Sequence, residues 1–224
     1  SAGNGTLNAS QVNNGSNDAC GILNLHIGQA GFTCTNVGAN TVVLTVTDVN
    51  NNTATCSATV TVQDLVAPNA LCQNLTVSLD ANGAASITTT QVNNGSTDAC
   101  GIATYSLNSS TFACNNQGNN TTILSVTDIN GNTSTCTSTI FVQDVTPPTA
   151  LCQNVTIQLN AQGNGSVTAT QVNNGSFDNC AVASLSVTPN TFTCANVGPN
   201  TVTLTVTDNS TTGSTINNAN LIGH

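Results

Sequence analysis

The sequence has 224 residues, with nine aspartates, no lysine and no arginine, which gives a formal net charge of −9 at pH 7. A polyanion would meet only neutral or negative surface, so this balance argues against nucleic-acid binding and against attachment to anionic membranes. No apolar run approaches the roughly 20 residues that a membrane-spanning helix needs. Aromatic residues make up only 3% of the chain, so its core must be built from small aliphatic side chains.

Segments rich in threonine, valine and isoleucine recur along the chain, separated by stretches rich in asparagine and glycine. Branching at Cβ restricts these side chains in helices and favours strands. The INGN segment at 129–132 is a hairpin signal between two such segments. The sequence therefore predicts an all-β protein. In the middle of the chain we expect strands at 74–79, 85–92, 102–107, 121–128 and 133–144.

One hexapeptide, QVNNGS, occurs three times, at 11–16, 91–96 and 171–176. The same interval separates successive copies, and the aspartates recur at that interval too, except that Asn160 stands opposite Asp80. We expect the hexapeptide to be a duplicated turn that places one valine of each repeat in the core. These valines are Val12, Val92 and Val172.

Two proline-containing links divide the chain, each after an apolar segment that ends in VQD. Proline cannot continue a strand ladder, so we predict three tandem β-sandwich domains at 1–66, 67–146 and 147–224. The first lacks a counterpart of the opening strand of the second. The third has Ile216 where the second has its final cysteine, Cys136.

Several motifs of the repeat carry a family likeness: PPTALC at 147–152, TDACG at 97–101, TVTVQD at 59–64 and, most specifically, TDINGNTSTC at 127–136. Together they resemble the hyalin repeat family, whose members are immunoglobulin-like β-sandwich modules of extracellular proteins, including tandem arrays in large bacterial surface proteins. The resemblance implies tandem immunoglobulin-like domains, an extracellular or cell-surface location and a non-enzymatic structural or adhesive role.

Ten cysteines indicate an oxidising compartment if they pair. Six of them form three sets of two with identical spacing, one set in each repeat. Pairing within each repeat is the simplest assignment. The predicted local disulfides are Cys20–Cys34, Cys100–Cys114 and Cys180–Cys194.

The other four cysteines allow two assignments. The first and last strands are neighbours in an immunoglobulin-like sandwich, so the resemblance favours a Cys72–Cys136 disulfide that clamps the second domain. Cys56 and Cys152 are then unpaired or form intermolecular bonds. The alternative pairs Cys56 with Cys72 and Cys136 with Cys152, which would staple the domain junctions. A zinc site is disfavoured, because the cysteines lack C-x-x-C spacing.

Two oxygen-rich segments resemble the first half of a calcium-binding loop. The chain has no glutamate to complete such a loop, and asparagine and glycine also suit a hairpin turn. The turn is the preferred interpretation, calcium is the alternative, and no cofactor is required. Asp64 and Asp144, at the ends of the VQD segments, could join a calcium site between domains. The candidate ligands in the two segments are Asp48, Asn50, Asn52, Asp128, Asn130 and Asn132.

No catalytic or cofactor-binding residue is expected. His26 has serine at the equivalent positions of the other two repeats, and His224 is the last residue. We expect a non-enzymatic structural subunit or segment of an extracellular fibre or cell-surface stalk, polymerising through its incomplete end domains. Its partners would be other copies of itself or neighbouring repeats of a longer chain. The alternative is an adhesin module that binds glycans or proteins through its loops.

Overall fold

The computed structural model describes residues 3–210 and 215–217. Strands are the main regular structure, and the all-β, sandwich-type fold predicted from the sequence is confirmed. Each α-helix has only four residues. Within the described ranges no helix is long and apolar enough to cross a membrane.

The three repeats contain similar elements in the same order. The first repeat has β1 (Asn4–Thr6), α1 (Ala9–Val12), β2 (Ile22–Ile27), β3 (Gly31–Thr33), β4 (Gly38–Asp48) and β5 (Thr53–Val62). The second has β6 (Leu75–Ser78), β7 (Ala84–Ser86), α2 (Thr89–Val92), β8 (Ile102–Leu107), β9 (Thr111–Ala113), β10 (Gly118–Asp128) and β11 (Thr133–Gln143). The third has β12 (Asn164–Ser166), α3 (Ala169–Val172), β13 (Val182–Thr188), β14 (Thr191–Thr193), β15 (Thr203–Asp208) and β16 (Thr215–Asn217). A short 3-10 helix directly follows β3, β9 and β14. These helices are Cys34–Asn36, Cys114–Asn116 and Cys194–Asn196.

The chain divides into two compact units, and the second repeat contributes residues to both. The expected domain boundaries after residues 66 and 146 stay predictions. The first unit contains Ser1–Cys72, Asn93–Ser106 and Leu124–Cys136. The second contains Gln73–Val92, Leu107–Ile123 and Thr137–His224.

The first repeat lies in the first unit. Its strands form an antiparallel sheet in the order β2-β4-β5, while β1 pairs with β3. Successive side chains of a strand point to opposite faces, and β4 accordingly buries Val42 and Leu44. These two residues pack with Ile27 and Phe32 in an aliphatic core that has one aromatic ring.

The second repeat has a four-stranded sheet in the order β6-β11-β10-β8. Its first and last strands, β6 and β11, run parallel, with Leu75 opposite Ile140. The strands expected at 74–79, 102–107, 121–128 and 133–144 are confirmed as β6, β8, β10 and β11. The INGN segment forms the predicted turn between β10 and β11.

The third repeat lies in the second unit and has sheets in the orders β13-β15-β16 and β12-β14. The buried residues of its core come mainly from β15 and from the strands and helix that precede it. They are Val167, Val172, Phe192, Val202, Leu204 and Val206.

The segment 85–92 is not the continuous strand that its alternating pattern predicted. β7 ends at Ser86, and the chain then makes one helical turn, α2. Gln91 Oε1 accepts hydrogen bonds from Thr88 N at 2.8 Å and from Thr88 Oγ1 at 3.1 Å, which caps the start of that turn. The predicted core role of the hexapeptide valines is confirmed, since Val92 and Val172 are fully buried and Val12 packs against the first core.

Candidate functional site at the repeat junctions

One disulfide joins the first repeat to the second, and an equivalent disulfide joins the second repeat to the third. Cys34 pairs with Cys100 in the first unit, and Cys114 pairs with Cys180 in the second. The two cysteines of each pair are 66 residues apart. In both pairs the first cysteine begins a 3-10 helix and the second lies in the loop just before a strand, β8 or β13.

The predicted local pairs, Cys20–Cys34, Cys100–Cys114 and Cys180–Cys194, are therefore wrong. In the first repeat both β2 and β3 lie between Cys20 and Cys34. The fold instead brings Cys34 to Cys100 and Cys114 to Cys180, with Cα atoms 5.1 and 5.3 Å apart, a separation that a disulfide can span. Since each cysteine forms one disulfide, none of the three local pairs can form beside these bonds.

A glycine in each repeat makes room for the cysteine that begins the 3-10 helix. A Cβ atom on Gly3 would lie 2.6 Å from Cys34 Sγ, and one on Gly83 would lie 2.5 Å from Cys114 Sγ. Both glycines have positive φ angles, +63° and +72°, a conformation that favours glycine. Gly163 keeps the same arrangement beside Cys194, with φ +76° and a Cβ position 2.5 Å from the sulfur.

Cys194 and Cys20 are exposed free thiols. Cys194 is the third-repeat equivalent of the bonded Cys34, and Cys20 is the first-repeat equivalent of the bonded Cys100. Cys194 Sγ lies 3.8 Å from Gly163 O, and the bonded Cys34 Sγ lies 3.7 Å from Gly3 O. The loop of Cys20 also matches its bonded counterparts. Asp18 Oδ1 accepts hydrogen bonds from Cys20 N at 2.8 Å and Gly21 N at 3.2 Å, and the aspartate just before Cys100 accepts the equivalent pair.

The Cys72–Cys136 disulfide is present, as the resemblance implied, and it excludes the alternative pairing of Cys56 with Cys72. It connects the segment before β6 to β11, its parallel neighbour. Cys56 is an exposed free thiol on β5. Burial raises the pKa of the Cys152 thiol. The assignment of Cys56 and Cys152 as intermolecular or unpaired stays a prediction.

The first calcium candidate is a hairpin turn between β4 and β5. Asp48 Oδ1 accepts hydrogen bonds from Asn50 N and Asn52 N, both at 2.8 Å, and Asp48 Oδ2 accepts from Asn52 Nδ2 at 2.8 Å. Asn51 has a positive φ of 67°, as such turns require. The Asn52 side-chain hydrogen bond is the main cause that holds the pKa of Asp48 below its ordinary value.

The second candidate, at the end of β10, has additional contacts within the first unit. Asn130 Nδ2 donates to Asp64 Oδ2 at 2.9 Å. Asn132 Nδ2 lies between Asp128 Oδ2 at 2.8 Å and Asp64 O at 3.1 Å. Burial raises the pKa of Asp128, but hydrogen bonds from Asn132, Asn130 and the turn backbone outweigh it, so the pKa is lowered.

Asp98 completes this group of carboxylates. Its ligand oxygen lies within 4.8 Å of that of Asp64 and of the Cys100 sulfur, the one set of three possible metal-ligating side chains found among the described residues. Cys100 Sγ is in a disulfide, so it is not a thiolate ligand. Sequence reasoning missed Asp98, although its recurrence as Asp18 and Asp178 beside a cysteine was a visible signal.

The equivalent carboxylates of the second unit are Asp144, Asp178 and Asp208. Asp144 is completely buried and Asp208 is 4% exposed. Asn179 Nδ2 donates to Asp144 Oδ1 at 3.2 Å and to Asp80 O at 2.8 Å. The histidine considered in the sequence, His26, lies exposed on β2.

No family model matches the sequence, so the hyalin-repeat resemblance stays an expectation, and no curated protein matches it. Solved structures with similar folds include cadherin domains 1–4 of protocadherin gamma B7, 11% identical over 90% of this chain and 67% of that chain, with a TM-score of 0.36. The cis-dimer structure of protocadherin gamma B7 domains 3–6 is 15% identical over 88% of this chain and 60% of that one, with a TM-score of 0.36. Titin domains I67–I69 are 7% identical over 90% of this chain and 82% of that one, with a TM-score of 0.34. The chain thus spans about 60 to 67% of the length of these protocadherin structures, and similarity at this level carries no argument about function.

Proposed function

We propose that the protein is a structural subunit of an extracellular fibre or cell-surface stalk in which copies are joined head to tail by disulfides. Cys194 of one copy would bond Cys20 of the next. The observation that carries this proposal is the repeated disulfide between a cysteine and the one 66 residues later, formed twice within the chain.

In each of these bonds, a cysteine that begins a 3-10 helix pairs with the loop cysteine of the next repeat. The last repeat therefore keeps an unbonded 3-10 helix cysteine, Cys194, and the first repeat keeps an unbonded loop cysteine, Cys20. Cys194 occupies the position of Cys34 and Cys114 and keeps the glycine that accommodates a bonded sulfur. Cys20 occupies the position of Cys100 and Cys180. Both are exposed, so a second copy can reach them without unfolding either chain.

Each bond between copies requires the oxidation of two thiols. Two cysteine thiols lose two protons and two electrons, and an extracellular oxidant of the disulfide-exchange class accepts them. Such oxidants act outside the cytoplasm. Three disulfides already formed within the chain support that location.

Disulfides between repeats suit a protein that must persist under load. In the chain-entropy model, a bond that closes a loop of about 66 residues stabilises the folded state by roughly 4 kcal/mol. That contribution is large for domains whose buried cores contain one phenylalanine each and mainly small aliphatic residues. A chain without lysine or arginine also offers no cleavage site to trypsin-like proteases.

The proposal is tested by the size of the oxidised protein. The purified chain is incubated in a glutathione redox buffer and separated on a denaturing gel without reductant. We expect a ladder of multimers that collapses to monomer on reduction. Cys194→Ser and Cys20→Ser should each stop growth at the monomer, and an equimolar mixture of the two variants should give dimers and nothing larger.

Cys56→Ser is the matched control, since Cys56 is also an exposed thiol but lies outside the proposed bond. It should form the same ladder as the unmodified chain. A chain that stays monomeric under oxidation would contradict the proposal. A ladder lost in Cys56→Ser but kept in Cys194→Ser would contradict the assignment of the bonded cysteines.

A further inference from the structure

The QVNNGS segment of the second repeat holds the chain that leads into β6. Ser96 Oγ accepts a hydrogen bond from Leu71 N at 2.9 Å and donates one to Leu71 O at 3.3 Å. Asn94 N donates to the same carbonyl at 2.9 Å, and Gln73 N donates to Val92 O at 2.9 Å. All of these bonds involve backbone atoms of the segment before β6. The hexapeptide is therefore a clamp for the backbone of an extended segment.

The third repeat has the same clamp. Ser176 Oγ accepts from Leu151 N at 2.9 Å and donates to Leu151 O at 3.2 Å. Asn174 N donates to the same carbonyl at 2.9 Å, and Gln153 N donates to Val172 O at 2.9 Å. Because the same bonds form in two repeats, the clamp is a property of the hexapeptide and not of one repeat.

Beyond its clamp, the held segment of the second repeat becomes a strand that covers the core. β6 runs parallel to β11, with Leu75 opposite Ile140 and Val77 opposite Val142. Both of these β11 residues are fully buried. Residues opposite each other in a sheet lie on the same face, so the aliphatic side chains at alternate positions of β6 face the core.

The first repeat has the hexapeptide, with Ser16 at the position of Ser96, but the chain contains no counterpart of Leu71 or of β6 for it to hold. β5, the equivalent of β11, lies at an edge of its sheet beside β4. Natural edge strands are commonly protected from strand addition by charges, proline or a bulge. β5 has no charged residue, no proline and no shift in its register with β4.

The apolar residues beside this edge are incompletely covered. Five of them are half-buried in the first repeat, whereas their equivalents in the second repeat are at most 4% exposed. The first repeat therefore combines a backbone clamp, an open strand edge and an apolar surface, which together we call the acceptor groove. The five residues are Leu7, Val12, Val46, Val60 and Val62, and their equivalents are Ile87, Val92, Val126, Ile140 and Val142.

The two segments of the chain with the matching pattern are not available to this groove. Residues 69–79 and 149–159 are each held in their own repeat by a clamp, and each begins with a backbone pair, Asn69 with Thr97 and Thr149 with Phe177. The same holds in a second copy, so the occupant comes from a different protein. Because β5 is uncharged and the chain has no lysine or arginine, neither a basic nor an acidic segment finds a complementary charge on this strand.

We propose that the first repeat is an acceptor for a strand from a partner protein. That strand is an extended, uncharged segment with aliphatic side chains at alternate positions, added parallel to β5 as β6 is to β11. Ser16 Oγ, Asn14 N and Val12 O hold its backbone, and its aliphatic side chains complete the core. In strand addition of this kind, main-chain hydrogen bonds give affinity and the positions of the side chains give specificity. The site does not depend on the proposed bond between Cys194 and Cys20.

A synthetic peptide tests the acceptor groove. It carries residues 69–79 with Cys72→Ser and a fluorophore at its amino end, and its anisotropy is followed as the full chain is added without oxidant. We expect saturable binding of one peptide per chain. A control peptide that also carries Leu75→Asn and Val77→Asn should bind at least about tenfold more weakly, because it keeps the backbone but loses the aliphatic side chains. Absence of saturable binding, two peptides per chain or equal binding of the control overturns the proposal.

Ser16→Ala tests the clamp. The variant keeps the backbone bond from Ser16 N to Asn13 Oδ1, so the turn stays folded. It loses both hydrogen bonds of the hydroxyl group to the peptide, and Kd should rise about tenfold. Ser176→Ala is the matched control, since it makes the same change in a clamp that is already occupied, and its Kd should be unchanged. An unchanged Kd in Ser16→Ala, or an equal rise in both variants, overturns the proposal.

A peptide that keeps Cys72 locates the groove. Cys56 stands at the position of Cys136, which bonds Cys72 in the second repeat. In a glutathione redox buffer the peptide thiol and Cys56 should form a disulfide, and their two protons and two electrons pass to oxidised glutathione. Peptide mapping should find the peptide on Cys56 in preference to Cys20 and Cys194, which are also exposed. Equal labelling of the three thiols overturns the placement of the strand on β5.

Size-exclusion chromatography without oxidant distinguishes a partner protein from a second copy. The chain alone should elute as a monomer, and the peptide should leave its elution volume unchanged. A dimer that the peptide dissociates would show that a second copy fills the acceptor groove, and it would overturn the assignment to a partner protein.

Discussion

At the scale of single residues, Gly83 makes room for the disulfide between the second and third repeats. Its φ angle of +72° disfavours any residue with a Cβ. A Cβ there would also lie 2.5 Å from Cys114 Sγ and 2.8 Å from Asn179 O. The side chain would have to displace both the sulfur and the loop that carries Cys180, its disulfide partner.

Gly83→Ala should therefore destabilise the protein and slow formation of the Cys114–Cys180 bond. Gly95→Ala is the matched control, because Gly95 has a φ of +79° but nothing within 4 Å of its Cβ position. Both variants carry the strain of positive φ, about 1–2 kcal/mol. We expect Gly83→Ala to exceed the control by at least about 1 kcal/mol in urea unfolding. Equal losses in the two variants would show that the sulfur contact does not matter.

At the scale of elements, the turn before β7 offers a natural comparison between aspartate and asparagine. Asp80 Oδ1 accepts from Asn82 N at 2.8 Å and Ala84 N at 3.0 Å. Asn160 Oδ1 accepts from the equivalent backbone groups of the third repeat, both at 3.0 Å. Hydrogen bonds from the backbone of Ala84 and then Asn82 hold the pKa of Asp80 below its ordinary value.

This pKa shift predicts a dependence of stability on pH. A carboxylate with a lowered pKa in the folded state contributes stability above its unfolded pKa, about 3.9, and that contribution is lost as pH falls through the folded pKa. Asp80→Asn has no proton to take up there. We expect the variant to fold normally and to lose less stability than the unmodified chain between about pH 5 and pH 2, measured by urea unfolding at each pH. If the unfolding free energies of Asp80→Asn and of the unmodified chain fell in parallel with pH, Asp80 would not be a source of the acid sensitivity.

The sequence predicts most strands correctly, because alternation of threonine with apolar residues reports which face of a strand is buried. It fails at 85–92, where the same alternation continues into a helical turn. The signal for that turn was present: a threonine, Thr88, stands three positions before Gln91, which is the spacing of a capping box. Local hydrogen bonds of this pair outweigh the strand preference of the threonines between them.

The cysteine pairing was not predictable from the repeat, for a reason of symmetry. Cys34 and Cys114 are equivalent positions of the first and second repeats. Cys100 could therefore bond backward to Cys34 or forward to Cys114, and the repeat pattern alone does not distinguish these two bonds. Only the direction in which the chain crosses the sandwich distinguishes them. The aspartates of the repeat junctions were partly visible, since Asp128 and the VQD aspartates, Asp64 and Asp144, were singled out in the sequence. The burial of Asp208 and the contact of Asn179 with Asp144 depend on tertiary packing.

At the scale of the whole molecule, the central claim is that disulfides join consecutive repeats instead of closing loops within them. The two patterns give different products with one protease. Cleavage before aspartate produces the peptides 18–47, 98–127 and 178–207, each of which carries both cysteines of its repeat. Bonds within repeats would leave these peptides separate, and bonds between repeats would join them.

The most direct measurement is therefore mass spectrometry of the unreduced protein after cleavage before aspartate, applied to the monomer. The account predicts one product in which all three peptides are joined through Cys34–Cys100 and Cys114–Cys180, and which separates into its three components on reduction. Three separate peptides, each with both of its cysteines oxidised and each two hydrogens lighter than its reduced form, would contradict the claim and with it the proposed linkage of one copy to the next.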